Sequence, residues 1–563
     1  MTLGADRLRW IVRVLVAWAV VVVVRLAQVQ VVEHRSWEEE SARQRERAVK
    51  VAETRGDIVS RDGRLLAGSL ERVAVYVNPH QIAVEDLASV ASRLAAIVGQ
   101  PATDVLAQLR GHDGFFYLAK DLDPQVADAV VRLRQEGVGT QPTQRRVYPH
   151  GALAAATIGF VNGEGVGQAG LERFYDRTLR GSPSVYRELR DGKTSPTSLV
   201  LRMERPGRPG QSLVTTLDSR IQEAVEQELA RTIAETGAKG ASAVVLDPEN
   251  GDLLAVASLP SYDPARPGEG PPDARRNRAI EDALEPGSTF KPFTVAAALV
   301  AGVLGPSEMV DCSGGGVQVA NVFIHDHARY GMLAVRDVLA KSSNAGAIRI
   351  AQRLDPGQLD AAIRGFGFGQ PTQVELPTEA RGIYRGPRYW SALSRACLAI
   401  GQEISTTPLQ LAQAYAAIAN GGLLVHPRLV GETRDRAGRS VTPSLPQPGV
   451  RVIPAAVANE LATMLESVVE DGTGKAAEVP GYRVAGKTGT AQRAFAGSYT
   501  SRRHVAWFAG FVSMPEPRAV LVVCVDEPVS NYWAADVAAP AFGRIAARVV
   551  TILRLAPSNG EQV

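Results

Sequence analysis

Lysine is scarce in this chain. Of its 62 basic residues only eight are lysine, and the other 54 are arginine. Arginine cannot lose its proton inside a protein, whereas a buried lysine can. Each of the few lysines therefore merits a reason. Lys291, three residues after Ser288, and Lys487, in Lys487-Thr488-Gly489-Thr490, stand in sequence contexts where a deprotonatable amine matters. Cysteine is scarcer, at three residues, Cys312, Cys397 and Cys524. An odd count implies no disulfide framework. Cys397 and Cys524 lie in apolar runs and read as small buried hydrophobes. Net charge is only +3, with the basic residues scattered, which excludes an electrostatic footprint for nucleic acid.

A composition of 45% hydrophobic and 21% charged residues is that of an ordered globular protein, and 563 residues allow two to four domains. One long hydrophobic run stands at the N-terminus. Arg7, Arg9 and Arg13 precede the apolar stretch Val14 to Val24. The window Trp10 to Val32 would make a helix about 34 Å long, enough to span a bilayer. Arginines ahead of the run place the N-terminus in the cytoplasm. Residues 1–9 read as a cytoplasmic tail, 10–32 as an uncleaved signal anchor, and the rest as extracytoplasmic. The alternatives are a cleaved signal peptide and a buried soluble helix.

Glu33 to Lys50 is charged and helix-compatible, which suggests a stalk. From Val51 to about Leu201, short strand-like runs alternate with helices such as Glu85–Val98 and Asp123–Gln135, the second capped by Asp123 with Pro124 in its first turn. Arg202 to Ser212 reads as a linker. Beyond it, Ser219–Thr236 is helical. Ala241–Leu246 and Leu253–Ser258 flank the turn signal Asp247-Pro248-Glu249-Asn250-Gly251. Pro260–Asn277 is a loop, and Arg275, Arg276 and Arg278 read as a solvated loop face, with a glycan-contacting rim as the alternative. Ser288–Leu304 reads as a buried helix. Arg483–Thr490, His504–Val512 and Arg518–Val525 read as three antiparallel strands, and Ala535–Leu555 as a closing amphipathic helix. Early and late strands of one antiparallel sheet, with helices between, make an α+β architecture.

The chemistry concentrates in three short motifs. Ser288 opens a helix after Pro286-Gly287, where the dipole favours developing negative charge. Lys291 lies one turn on, on the same face, so its amine can approach the Ser288 hydroxyl. A neutral lysine there can take the serine proton. Ser-x-x-Lys alone is a weak signal, with about 0.5 occurrences expected by chance at ordinary serine frequency. Ser342-Ser343-Asn344 adds a second hydroxyl and an amide, suited to relaying a proton and holding a substrate amide. Lys487-Thr488-Gly489-Thr490 on a strand adds positive field and two hydroxyls suited to a carboxylate, and Gly489 leaves room for a substrate backbone. Together, in this order, they form the penicilloyl-serine transferase signature.

These motifs resemble those of a class B penicillin-binding protein, a monofunctional peptidoglycan transpeptidase. The N-terminal half carries the resemblance too. Arg55-Gly56-Asp57-Ile58 with Arg61-Asp62-Gly63 resembles the first class B box, with Ser60 where the family usually has Asp. Arg146-x-Tyr148-Pro149-x-Gly151 and Gly170-Leu171-Glu172 match the next two. Gly401-Gln402-Glu403 and Thr407-Pro408-Leu409-Gln410 resemble the division-associated branch, which usually has a Gly-Gly pair near the C-terminus where this chain has Trp533-Ala534.

The resemblance implies a penicillin-binding/β-lactamase-like transpeptidase domain over 206–555, a mixed α/β pedestal or dimerisation module over 33–205, and a tail over 556–563. It implies that Ser288 attacks the penultimate D-Ala carbonyl of a stem peptide and that Lys291 is the base. Ser342 and Asn344 then shuttle protons and position substrate. Lys487, Thr488, Gly489 and Thr490 hold the terminal carboxylate, with an oxyanion hole from the Ser288 and Thr490 N–H groups. β-Lactams mimic the acyl donor. No metal and no cofactor is implied. The expected partners are peptidoglycan stem peptides, β-lactams, a SEDS-type glycosyltransferase met through the anchor and the N-terminal module, and other division proteins. The alternatives are an elongation-type transpeptidase, a DD-carboxypeptidase or β-lactamase, and a β-lactam-sensing scaffold.

Several weaker patterns point elsewhere. Gly165-x-Gly167-x-x-Gly170 matches a dinucleotide fingerprint without a strand–turn–helix context. Gly474-Lys475 fails as a P-loop because Ala476 follows. His325-Asp326-His327 near Cys312 reads as a loop with ordinary polar residues, with a metal site as the alternative. His504 reads as a packed histidine.

Overall fold

A computed structural model describes residues 3–32, 46–189, 201–495 and 498–558. The chain divides into two units, each assembled from separated segments: 1–54, 71–145 and 181–209 in one, and 55–70, 146–180 and 210–563 in the other. Two segments inside the expected N-terminal module, Arg55–Leu70 and Arg146–Arg180, thus belong to the larger unit.

The first unit begins with the helix Leu3–Ala27. Within it and the turn that follows, Trp10–Gln30 has mean hydropathy 2.2 and none of its surface is buried against protein. By length and composition it can cross a membrane. It is not the buried helix of a soluble core. Glu46–Val51 is a strand, paired antiparallel with Ser184–Leu189, where a helical stalk was expected; residues 33–45 of that stalk lie outside the described residues. Leu201–Arg205, expected as linker, pairs with the same strand. The helix Leu87–Val98 lies within the expected span, and Val90, Leu94, Val105, Leu109, Leu118 and Val130 share a core with Val75 and Val77. Gln125–Leu133 is helical behind Pro124, with Asp123 Oδ1 accepting from the Gln125 N–H at 3.0 Å.

The larger unit is built on a five-stranded sheet. Its strands are β1 (Gly240–Leu246), β2 (Leu253–Leu259), β3 (Val484–Phe495), β4 (Ser498–Val512) and β5 (Ala519–Asp526), in the spatial order β2-β1-β5-β4-β3. Every neighbouring pair is antiparallel. Side chains alternate between faces along a strand. Val244, Leu246, Val520 and Val522 therefore enter one core, and Ala243, Val245, Leu521 and Val523 the other. Burial on both faces explains why β1 and β5 read as continuous apolar runs.

The helices α1 (Ser219–Thr236) and α6 (Ala538–Leu553) cover the second face through Ile221, Val225, Leu229, Phe542 and Ile545. The first face carries α2 (Lys291–Val300), α3 (Asn344–Gln352), α4 (Pro408–Ala419) and α5 (Ala455–Glu470). Aromatics are only 6% of the chain, yet Phe290, Phe293, Phe366, Phe368 and Tyr415 cluster beneath α2 with ring centroids 4.8–5.5 Å apart. This packing holds the start of α2 fixed. Among the described residues β3 has a strand partner on one side only, so its outer edge is open.

Candidate active site

Ser288 lies in a single 3-10 turn, Gly287–Phe290, that leads into α2. The turn is clamped from four directions. The Thr289 hydroxyl donates to the Pro286 carbonyl at 2.7 Å, and the Tyr415 hydroxyl donates to the Thr289 carbonyl at 2.8 Å. The Trp507 indole N–H donates to the Glu285 carbonyl at 3.1 Å. The Gly287 N–H donates to the Gly401 carbonyl at 3.1 Å. Gly287 has φ +52°, and a Cβ on Gly401 would fall 2.0 Å from the Gly287 oxygen. Only glycine at 401 allows this approach. Gly401-Gln402-Glu403 therefore supports the serine turn from behind.

Lys291 is fully buried. Its amine donates to the Ser342 carbonyl at 2.5 Å, the Asn344 Oδ1 at 2.8 Å and the Ser342 hydroxyl at 3.2 Å. Burial lowers its pKa to about 7, against an opposing pull from Asp326. Ser342 turns its carbonyl toward the amine by taking φ +56°, a conformation that strains a non-glycine residue. Ser343 does different work: it caps α3, accepting from the Gly346 N–H at 3.0 Å.

Lys487, Thr488, Gly489 and Thr490 lie on β3. Lys487 is also fully buried, and burial first, then the Lys291 charge, holds its amine well below the ordinary lysine value. Its amine donates to the Thr488 carbonyl at 3.2 Å. Gly489 has a tighter role than admitting substrate. A Cβ there would lie 2.6 Å from the Pro286 carbonyl and 2.8 Å from Thr289 Cγ2, so glycine lets β3 rest directly on the serine turn. The three motifs, separated by about two hundred residues of sequence, meet in one place.

Two residues to which sequence reasoning gave no place beside the three motifs complete the surroundings. Asp326 Oδ2 accepts from the Ser343 hydroxyl at 2.7 Å, and Oδ1 accepts from the Asn344 N–H and from the Ala345 N–H at 3.2 Å. It is an anionic cap on α3 rather than a metal ligand. Its neighbour His325 offers its carbonyl to the Asn344 Nδ2 at 2.8 Å. Thr473, beside the failed P-loop pattern, shares a hydrogen bond with Thr488, oxygen to oxygen at 2.7 Å. Neither signal was readable, because both act across long sequence separations. His327 faces the site. Partial burial and then the Lys291 charge hold its imidazole below the usual value. His504 stacks on Tyr532, with centroids 4.1 Å apart.

The three class B boxes meet as a buried ion network. Arg55 donates to Glu172 Oε2 at 2.7 Å and Asp176 at 2.7 Å, and Arg146 donates to Glu172 Oε1 at 2.6 Å. Glu172 is fully buried. The glycines of the dinucleotide-like pattern fit around this knot: Arg55 also donates to the Gly165 carbonyl at 3.1 Å, and a Cβ on Gly167 would lie 1.9 Å from the Glu172 carbonyl. Asp62 accepts the Ser219 N–H at 2.9 Å and hydroxyl at 2.6 Å at the start of α1. Ser60 closes its own turn, accepting from the Arg64 N–H at 2.9 Å. Thr407 and Gln410 form a capping box on α4. Arg278, expected in a solvated face, is buried and paired with Asp273 and Asp282.

Comparisons with known proteins identify both parts of the chain. Residues 241–547 match the penicillin-binding protein transpeptidase domain, and residues 50–215 the penicillin-binding protein dimerisation domain. The chain is 32% identical over 540 residues to the probable peptidoglycan D,D-transpeptidase PbpC of Pseudomonas aeruginosa, covering 95% of this chain and 93% of that one. It is 33% identical over 520 residues to the peptidoglycan D,D-transpeptidase FtsI of Escherichia coli strain K12, covering 91% and 86%. Among solved structures, penicillin binding protein 3 of Mycobacterium tuberculosis complexed with ampicillin superposes with TM-score 0.71 at 28% identity, covering 92% and 98%. With both domains matched and near full-length relatives, the chain belongs to the class B penicillin-binding proteins.

Proposed function

We propose that this protein is a peptidoglycan DD-transpeptidase of the division septum, working through an acyl-enzyme on Ser288. One observation carries the reading: the fully buried Lys291 amine, with its pKa lowered to about 7, joins the Ser288 helix to Ser342 and Asn344. Neutral Lys291 takes the Ser288 proton as the hydroxyl oxygen attacks the penultimate D-Ala carbonyl. The Ser288 and Thr490 N–H groups stabilise the oxyanion. Ser342 passes the proton to the leaving D-Ala nitrogen. An amine on a neighbouring stem then attacks the ester carbonyl, and the Ser288 oxygen regains a proton. The open edge of β3 offers backbone groups to an extended peptide, as in strand addition. Lys487, Thr488 and Thr490 hold its carboxylate, whose negative charge opposes the lowering of the Lys487 pKa by burial.

Residues 206–555 form the transpeptidase domain in this reading, 33–205 a pedestal module, and 556–563 a tail. Residues 1–9 are cytoplasmic, 10–32 anchor the chain, and the remainder stands outside the cytoplasmic membrane, because early arginines stay inside. A SEDS-type glycosyltransferase supplies the glycan. The names of the relatives support the septal assignment.

Fluorescent penicillin tests the chemistry. Ser288→Ala should lose all covalent labelling, and persistent labelling would overturn the mechanism. The wild-type acylation rate should climb as pH rises through about 7 and level off above, because only the neutral form of Lys291 accepts a proton. A rate that is flat between pH 5.5 and 8.5 counts against Lys291 as the base, with that window set by its value of about 7. Depletion of the protein should give filamentous cells; rounded cells would assign it to the side wall instead.

A further inference from the structure

The segment Asn531–Ala534 ties the two walls of the Ser288 cleft together, and each of its residues is pinned. Asn531 Oδ1 accepts from the Trp533 N–H at 3.0 Å, and its Nδ2 donates to Asp536 at 3.0 Å. Tyr532 stacks on His504 of β4, with planes 14° apart. Trp533 meets the His327 ring edge-on, with centroids 5.3 Å apart at 78°. The Ala534 N–H donates to Thr490 Oγ1 at 3.0 Å.

The last bond has a directional consequence. A threonine hydroxyl has one proton and two lone pairs. With one lone pair engaged by the Ala534 N–H, the Thr490 O–H turns away from this strap. Among the described residues none accepts it, so its proton is left for a ligand at the β3 edge, where a carboxylate is the matching acceptor. On the opposite wall, His327 follows Asp326, whose carboxylate is fixed by the Ser343 hydroxyl and the Ala345 N–H. His327, itself exposed, meets the exposed Trp533 ring from the segment that Asp326 anchors to Ser343 and Ala345.

The geometry points to His327 as a positioning residue: through Trp533 and Ala534 it fixes the Thr490 hydroxyl for capture of the acyl donor's terminal carboxylate. This rests on the transpeptidase reading of the cleft. The imidazole acts as a ring against a ring, so its shape matters more than its proton.

The full-length protein is compared with His327→Ala, His327→Phe, Thr490→Val and the double variant His327→Ala/Thr490→Val. The first readout is hydrogen exchange of the peptide containing Ala534. Exchange should accelerate at least about fivefold in His327→Ala and in Thr490→Val, since both release the Ala534 N–H. The second readout is the acylation rate with benzylpenicillin and with its methyl ester, which lacks the carboxylate charge. His327→Ala should lose about tenfold with the acid, the scale of one hydrogen bond to a charged group, and less than about twofold with the ester. The double variant should be no slower than Thr490→Val alone, because the two act in series. His327→Phe should recover the acid rate. Unchanged Ala534 exchange in His327→Ala overturns the proposal, as do equal losses on acid and ester, or additive losses in the double variant. The exchange result is independent of acylation. A wild-type protein that benzylpenicillin does not acylate sinks the transpeptidase reading, while accelerated exchange would still establish the strap.

Discussion

Lys291→Arg should leave Ser288 unable to acylate. The side chain at 291 is fully buried, and its amine already meets three acceptors, the Ser342 carbonyl, the Ser342 hydroxyl and Asn344 Oδ1. A lysine can exist there uncharged, because burial lowers its pKa to about 7. A guanidinium cannot, so arginine keeps the charge and removes the base. Loss of a general base lowers the rate by about 10²–10⁴-fold. The measurement is the second-order rate of labelling by fluorescent penicillin. Thermal unfolding of the same sample shows whether the larger, permanently charged group is tolerated. Lys291→Met, neutral and of similar length, provides a folded comparison and should show the same loss. Appreciable acylation by either variant would remove Lys291 from the role.

Glu172→Ala should be the most destabilising single change of charge in the larger unit. Glu172 sits between Arg55 and Arg146, with ion-pair distances of 2.6 Å to each and no exposed surface of its own. Removing it leaves two guanidiniums in the interior, with Asp176 still against Arg55 and Asp57 near enough to Arg146 to feel its charge. Breaking a buried pair from one side costs about 3–5 kcal/mol, mostly the penalty of the charge left behind. Urea unfolding should show a shift of this size at unchanged slope. Glu172→Gln, which keeps the shape and part of the hydrogen bonding, should cost less. If Glu172→Ala unfolds with the wild-type midpoint, the network is not a structural knot.

The parts of this molecule that local rules govern were legible in the sequence. Ser219–Thr236 starts on a capping Asp218 and ends at Gly237 in the left-handed region, so its bounds follow from adjacent residues. The hairpin of β1 and β2 follows from Asp247 to Gly251, where the Gly251 N–H bonds back to the Asp247 carbonyl at 2.9 Å. The three short motifs around Ser288, Ser342 and Lys487 stood out because each is chemically distinctive, and the structure brings them together. Where distant groups decide, the local reading failed. Glu46–Val51 has helix-compatible residues and becomes a strand because Ser184–Leu189 offers it an edge. Asp326 lies in a loop that reads as ordinary and polar, yet the N–H groups at the start of α3 claim it and bring it beside Asn344. Arg278 lies in a polar loop and is buried by acidic partners, including Asp526 of β5 at 3.7 Å. Its exposure depends on a strand that the sequence around it does not mention.

The wiring of the sheet bears on how the protein is made. Val244 of β1 lies opposite Val522 of β5, and β5 separates β1 from the two strands that present Lys487. During synthesis β1 and β2 emerge behind α1, which packs on one of their apolar faces, while the pairing edge of β1 waits for β5. At 5–20 residues per second, the roughly 270 residues between β1 and β5 take about 15–50 s to deliver. Through that interval the growing chain carries an incompletely paired hydrophobic hairpin and needs protection from aggregation and proteolysis. A chain truncated ahead of Ala519 would contain Ser288, Lys291 and Lys487, yet the β3–β4 pair that bears Lys487 would lack the strand that joins it to β1. The site comes into being only when the last strand arrives, so a ribosome that stops early leaves a client for quality control rather than a weakened enzyme.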